Sequence, residues 1–273
     1  MRILMATGGS LHSETALWLG GQIAATCGAA PTALTVIGKE GERQAGEQIL
    51  KRAQTILRQI TPHLETKMRV GRPDVEILRE AAAGGYDLLV IGDRQLHSFG
   101  TRMRGSVVAK IARQTPCSLL IAKGKIEPLQ RILVCDSGNQ QPSVVTSLVE
   151  TGLVGLLGHA RMITVLHVMS QMSAGTGADE DEDVFVAELM TTGAPEGTIL
   201  HQDLALLAAQ GIAATATVRR GLVVDEILTE AQMGDYDLVV VGVHRDEGWQ
   251  RLLLDDITHK VAVEIDRPVL IVR

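Results

Sequence analysis

The chain repeats itself, and the spacing of the repeat limits the folds open to it more than any other feature. Tyr86, Asp87, Leu88 and Gly92 recur as Tyr236, Asp237, Leu238 and Gly242, and Gly71 recurs as Gly221, each pair 150 positions apart. Glu76-Ile77-Leu78 maps onto Glu226-Ile227-Leu228, and Leu120-Ile121 onto Leu270-Ile271, at the same offset. At the front, Arg2-Ile3-Leu4 returns as Arg131-Ile132-Leu133 only 129 positions on, so the second copy holds about 21 extra residues before Gly221. Repetition on this scale fixes architecture before any local reading. A chain of 273 residues is long enough for two domains that each bury a core. The expected boundaries are 1–124 for the first domain, 125–130 for a linker and 131–273 for the second domain, which carries an acidic insertion near 170–200.

Each copy alternates strand and helix. The first opens with a strand from Ile3 to Thr7, turns through Gly8-Gly9-Ser10, and enters a helix carrying Ala16, Leu17, Leu19 and Ile23. Ser13 is a candidate N-cap for that helix and Gly28 its stop. Pro31 leads into a strand from Ala33 to Ile37. An amphipathic helix from about Gly46 to Ile60 follows, and Pro62 ends it. A strand from Thr66 to Val70, a Gly71-Arg72-Pro73 turn, a helix through Ile77 and Leu78, and strands ending at Gly92 and Ala122 complete the copy. The second copy starts with Ile132 to Cys135 and Met162 to Val168, then departs: an unbroken acidic run, Asp179 to Asp183, is expected to be a solvated surface loop. It lacks the glycine and spacing of a calcium-binding loop. Alternation of this kind implies an α/β protein of two tandem doubly wound domains, each with a mostly five-stranded parallel sheet and helices on both faces.

The chemistry gathers between Tyr86 and Ser118. Leu88, Leu89, Val90 and Ile91 form a short apolar run closed by Gly92, as in a buried parallel strand. A polar loop with Asp93, Arg94, Gln95, His97, Arg102 and Arg104 then delivers Gly105 and Ser106 to the start of a helix through Val107, Val108, Ile111 and Ala112. Free N–H groups and the positive end of the helix dipole make Gly105, Ser106 and Val107 an anion or phosphate seat. A strand, a glycine and a Gly-Ser helix start resemble the glycine signature of the universal stress protein family, G-x2-G-x9-G-S/T. Gly92 matches its first glycine and Gly105-Ser106 its last pair, while Gln95 stands at the middle glycine.

The resemblance implies an adenine nucleotide alpha hydrolase-like arrangement and a stress-sensing or signalling role. It implies ATP or another adenosine phosphate as ligand, with Mg2+ as a companion ion, held beyond the carboxyl ends of strands one and four. On this sequence the ligand residues would be Thr7, Gly8, Gly9, Ser10, Val36, Gly92, Arg94, Gln95, Arg104, Gly105, Ser106 and Val107. ATP-binding members place an acid after the first strand, where this chain has Gly8. With Gln95 that makes two departures: one removes an acceptor, the other adds a side chain where backbone approached ligand.

In the second copy Asp255 and Asp256 stand at the places of Gly105 and Ser106, and are expected to satisfy the helix N–H groups themselves and repel phosphate. Residues 93–106 carry a net charge of +2, residues 243–256 one of −2. Asp136 lies near the family's acidic position, although the repeat puts Ser137 there. A single nucleotide per chain, in the first copy, is therefore expected.

Net charge of −6 and 2% aromatic residues argue against nucleic-acid binding. No apolar run would span a bilayer, and Met1-Arg2 runs straight into a strand, so the expectation is a cytoplasmic protein without a targeting segment. Cys27, Cys117 and Cys135 form no C-x-x-C pair and are expected to be buried small hydrophobes. The eight histidines form no pair at metal-ligand spacing, and no catalytic set emerges. Two rival readings stand beside nucleotide binding: a ligand-free interaction module of the same fold, and an ATP pyrophosphatase-like enzyme using Gly8-Gly9 and Ser13. In the second, the spacing is one residue too long. The closing strands, Ser118 to Ala122 and Val269 to Val272, are apolar edges that invite pairing. The resemblance implies that the two copies pair through them as a pseudo-dimer, and leaves room for a homodimer of chains.

Overall fold

The computed structural model describes residues 1–61, 63–93, 107–124, 128–136, 142–170, 195–243 and 249–273. Contacts divide these into two compact units, one of residues 1–127 with 266–271 and 273, the other of 128–265 with 272. In the first unit the apolar runs become β1 (Arg2–Ala6), β2 (Ala30–Ile37), β3 (Glu65–Val70), β4 (Leu88–Gly92) and β5 (Ser118–Ala122). They are parallel, in the order β3-β2-β1-β4-β5. The helices are α1 (Leu11–Thr26), α2 (Arg43–Leu57), α3 (Pro73–Gly84) and α4 (Val107–Gln114). Right-handed crossovers put α1 and α2 on one face and α3 and α4 on the other, and the packing of α1 on α2 and of α3 on α4 agrees. The chain leaves β1 toward one edge and β4 toward the other, so the switch point of this sheet lies between them. Strand β3 alternates Glu65, Lys67 and Arg69, charges that suit an edge.

The second unit holds β6 (Arg131–Asp136), β7 (Met162–Ser170), β8 (Thr215–Gly221) and β9 (Leu238–Gly242), parallel in the order β9-β6-β7-β8. Its helices are α5 (Val144–Glu150), α6 (Pro195–Ala209), α7 (Val223–Met233) and α8 (Trp249–Glu264), with a 3-10 segment at Leu153–His159. The last strand, β10 (Val269–Val272), pairs antiparallel with β5, Leu270 opposite Leu120. Its residues 269–271 belong with the first unit. The acidic run 179–183 lies outside the described residues.

Three local expectations need correction. Ser10, not Ser13, caps α1: it has extended backbone and its hydroxyl accepts from the Ser13 N–H at 3.4 Å. Helix α2 runs three residues earlier than expected, because Gly46 is a packing position inside it; a Cβ there would collide with Met68 and Ile37. Strand β2 begins before Pro31, which is tolerated because pairing with β3 starts only at Thr32.

The residues that repeat between the copies build the amino ends of the sheets. The Arg2 N–H donates to Asp87 Oδ2 at 2.7 Å, and the Arg131 N–H donates to Asp237 Oδ2 at 2.8 Å. The guanidinium groups of Arg2 and Arg131 lie over the rings of Tyr86 and Tyr236, 4.7 and 5.8 Å from their centroids. Tyr86 donates to Glu80 at 3.0 Å and Tyr236 to Glu230 at 3.1 Å; Arg69 and Arg219 reach the same carboxylates at 2.7 and 2.6 Å. Burial opposes ionisation of Glu80, but the Lys67 ammonium, the Arg69 guanidinium and the Tyr86 hydroxyl draw it down to about 2. Gly71, with φ +148°, leaves room for Glu76, as Gly221 does for Glu226.

Candidate functional site

In the first unit the loops after β1 and β4 come together through backbone. A Cβ on Gly92 would overlap the His12 carbonyl oxygen, so the absent side chain lets the first turn of α1 lie directly on the end of β4. Thr7 is buried; its N–H donates to the Leu34 carbonyl at 2.9 Å, and its hydroxyl accepts from Gly9 N–H and reaches Ser13 Oγ, both at 3.3 Å. Ser13 Oγ in turn donates to the Ser10 carbonyl at 2.7 Å. Gly8 and Gly9 are exposed. Gly8 has open space where a side chain would go, whereas Gly9 has φ +75° and Ile49 against it. Val36 is half-buried near the end of β2, and Val107 is exposed at the first described turn of α4. The structure thus joins Thr7, Gly8, Gly9, Ser10 and Gly92 at one switch point. Arg94, Gln95, Arg104, Gly105 and Ser106 lie outside the described residues.

A cation that sequence reasoning missed lies at the same end of the sheet. Lys123, one residue past β5, is 3% exposed, and its Nζ is 3.8 Å from Asp93 Oδ2. Burial lowers its pKa below the usual lysine value, against the pull of Asp93 and Asp266. A lysine at the end of an otherwise apolar strand was the available signal.

The corresponding end of the second unit is built differently. Asp136 stands 129 positions after Thr7, the offset of the first strands. It is buried, and its Oδ2 accepts the Val144 N–H at 2.7 Å, so the carboxylate near the family's acidic position is spent on the start of α5. Ser143 caps α5, as Ser10 caps α1, and its hydroxyl donates to Asp203 Oδ1 at 2.6 Å. Asp203 is 2% exposed, and its second oxygen has no partner among the described residues. Burial pushes it up to about 7; the Ser143 hydrogen bond opposes this and the charge of Asp136 adds to it. Asp203 also went unread in the sequence, although it falls between Leu200 and Leu207 on the buried stripe of α6. At the repeat offset of 150 the first unit has Ala53 there, fully buried, just as Leu57 answers Leu207.

The expectation that Asp255 and Asp256 cover a helix N-terminus is overturned. Helix α8 begins at Trp249 and encloses both, because Trp-Gln-Arg-Leu-Leu-Leu before them is free of glycine and rich in helix formers. In the first copy Gly105 stands just ahead of α4. At this end of the second unit the buried carboxyl groups are instead Asp136 and Asp203.

Cys117 and Cys135 are buried and burial raises both thiols, which makes them poor nucleophiles; Cys27, at the end of α1, is only half-buried. Among the described residues no cluster of His, Cys, Asp and Glu could hold a metal ion, and no helix is long and apolar enough to cross a membrane.

The profile of the universal stress protein family matches residues 1–123 and again 128–273. The chain belongs to that family, and carries its fold twice. A universal stress protein from Archaeoglobus fulgidus DSM 4304 is similar over 100% of this chain and 98% of its own, at 17% identity and a TM-score of 0.70. A functionally unknown protein from Pseudomonas aeruginosa PAO1 is similar over 99% of this chain and 92% of its own, at 17% identity and a TM-score of 0.66. Both likenesses are of fold. A universal stress protein in complex with cAMP matches 46% of this chain and 98% of its own, at 27% identity and a TM-score of 0.42. No curated protein matches the chain.

Proposed function

We propose that the first unit binds an adenine nucleotide, ATP or another adenosine phosphate, at its β1/β4 switch point, that the second unit binds none, and that the bound state serves stress sensing or signalling in the cytoplasm. The observation that carries this reading is the contrast at the first loops. Gly8 and Gly9 expose backbone over neutral hydroxyls in the first unit, whereas the second buries Asp136 and Asp203 at the same level. The former leaves space and exposed backbone for a nucleoside, whereas the latter has its carboxylate engaged with the start of α5. Thr7, Gly8, Gly9, Ser10 and Val36 would meet the nucleoside side. Gly92, Arg94, Gln95, Arg104, Gly105, Ser106 and Val107 would meet the phosphates, aided by the net charge of +2 between 93 and 106. Mg2+ would enter on the phosphates, since the described residues offer it no cluster of their own.

Mass spectrometry of ligand released from the purified, denatured chain tests the proposal. An adenosine phosphate at no more than one equivalent per chain is the expected result; none, even after incubation at millimolar ATP, would contradict it. That negative result would support a ligand-free interaction module, a reading with observations of its own. The hydroxyls of Thr7, Ser10 and Ser13 are already engaged with one another and with backbone, and packing against α1 is reason enough for Gly92.

A further inference from the structure

Helix α6 plants a carboxyl group in the interior of the second unit, where the repeat has an alanine, and one of its oxygens is left without a partner among the described residues. A buried charge is tolerated when it is paired and costly when it is not. Among the described residues Asp203 has a single hydrogen bond, from Ser143, the residue that caps α5. It therefore joins two helices, and the cost of keeping it buried between them depends on its own protonation.

We propose that Asp203 is a proton-operated latch between α6 and α5. Protonated, it is an uncharged buried group that stays docked on Ser143. Ionised, it carries a charge that only the Ser143 hydroxyl solvates, it is repelled by Asp136, and α6 loosens. The groups around it fit this assignment. Asp136, His167 and Val218 are register partners on β6, β7 and β8 and so share one face of the sheet, the face on which Asp136 meets α5. His167 is buried, with Nδ1 3.2 Å from the Asp136 carbonyl oxygen. Arg219 faces the other way, toward Glu226 and Glu230, while Arg220 shares the α6 face. On the helices themselves Glu196 is half-buried, and His201 and Glu150 are exposed.

The pH window follows from the raised value of about 7 against 3.8 for an ordinary aspartate. Between these values the folded unit holds a proton that the unfolded chain releases. Docking of α6 is strongest at the acid end, weakens as pH rises toward about 7, and is constant above it.

Two measurements on the full chain decide this. A carbon-13 carboxyl titration should give Asp203 a midpoint near neutrality; a midpoint in the ordinary aspartate range overturns the proposal. Amide hydrogen exchange between pH 5 and 8.5 should show protection in α6, taken relative to α2 as an internal reference, falling up to about tenfold per pH unit to neutrality and then levelling. Asp203→Asn, which mimics the protonated group, should abolish the slope, and Ser143→Ala should move its midpoint upward by removing the bond that opposes protonation. Parallel behaviour of α6 and α2 in the wild-type chain, or a slope that survives Asp203→Asn, would overturn the latch.

Discussion

The two ends of the sheets have different histories within one chain. At their amino ends the copies agree: Arg2, Tyr86, Asp87 and Glu80 make the same ties as Arg131, Tyr236, Asp237 and Glu230. At their carboxyl ends they part. Thr7 answers to Asp136, Ala53 to Asp203, and Gly105 and Ser106 to Asp255 and Asp256. What both units share are the ties at the amino ends of their strands; what they do not share lies at the end where the nucleotide is proposed to bind.

The comparison can be broken at the amino end first, where the largest effects are expected. Glu80→Ala removes the carboxylate shared by Lys67, Arg69 and Tyr86, leaves the two cations to Glu65 and Glu76, and should cost about 2 to 3 kcal/mol in chemical denaturation. Glu230→Ala should do the same to the second unit, by less, since Thr217 stands there at the place of Lys67. Because Glu80 is drawn down to about 2, its contribution should persist above the ordinary glutamate range and be lost as pH falls through that range toward 2.

At the carboxyl end, Gly92→Ala should destabilise the first unit by about 1 to 3 kcal/mol through overlap with the His12 carbonyl, whereas Gly8→Ala should change thermal stability by under about 0.5 kcal/mol. Similar losses from both would mean that packing does not distinguish them. Asp136→Ala should cost about 1.5 kcal/mol by freeing the Val144 N–H, read in the same melts. The smallest effect should sharpen the contrast: Gly8→Asp, for which there is space, restores an acceptor beside the nucleoside and should tighten adenosine binding about tenfold in calorimetry. Unchanged or weaker adenosine binding would remove the nucleoside from that loop.

The doubly wound fold was legible because apolar runs and the two repeat offsets are properties of the chain read in one dimension. Register and caps were less so: Ser10 and Ser13 are both good capping residues, and only the geometry of the turn chooses between them. The motif at Gly92, Gly105 and Ser106 was legible, and of these three residues the structure describes Gly92. Its negative counterpart was sought at Asp255 and Asp256, because a gap-free repeat places them opposite Gly105 and Ser106, but both lie inside α8. Asp203 escaped notice because a single acid on an apolar stripe declares itself only when the burial of Leu200 and Leu207 is known.

Isothermal titration of the full chain with ATP tests the one-site account most directly. It predicts a single site per chain that is lost on Ser106→Asp, only modestly weakened by Ser106→Ala, whose backbone donors remain, and unaffected by Asp256→Ala. Two equivalent sites, or binding indifferent to Ser106→Asp, would contradict it.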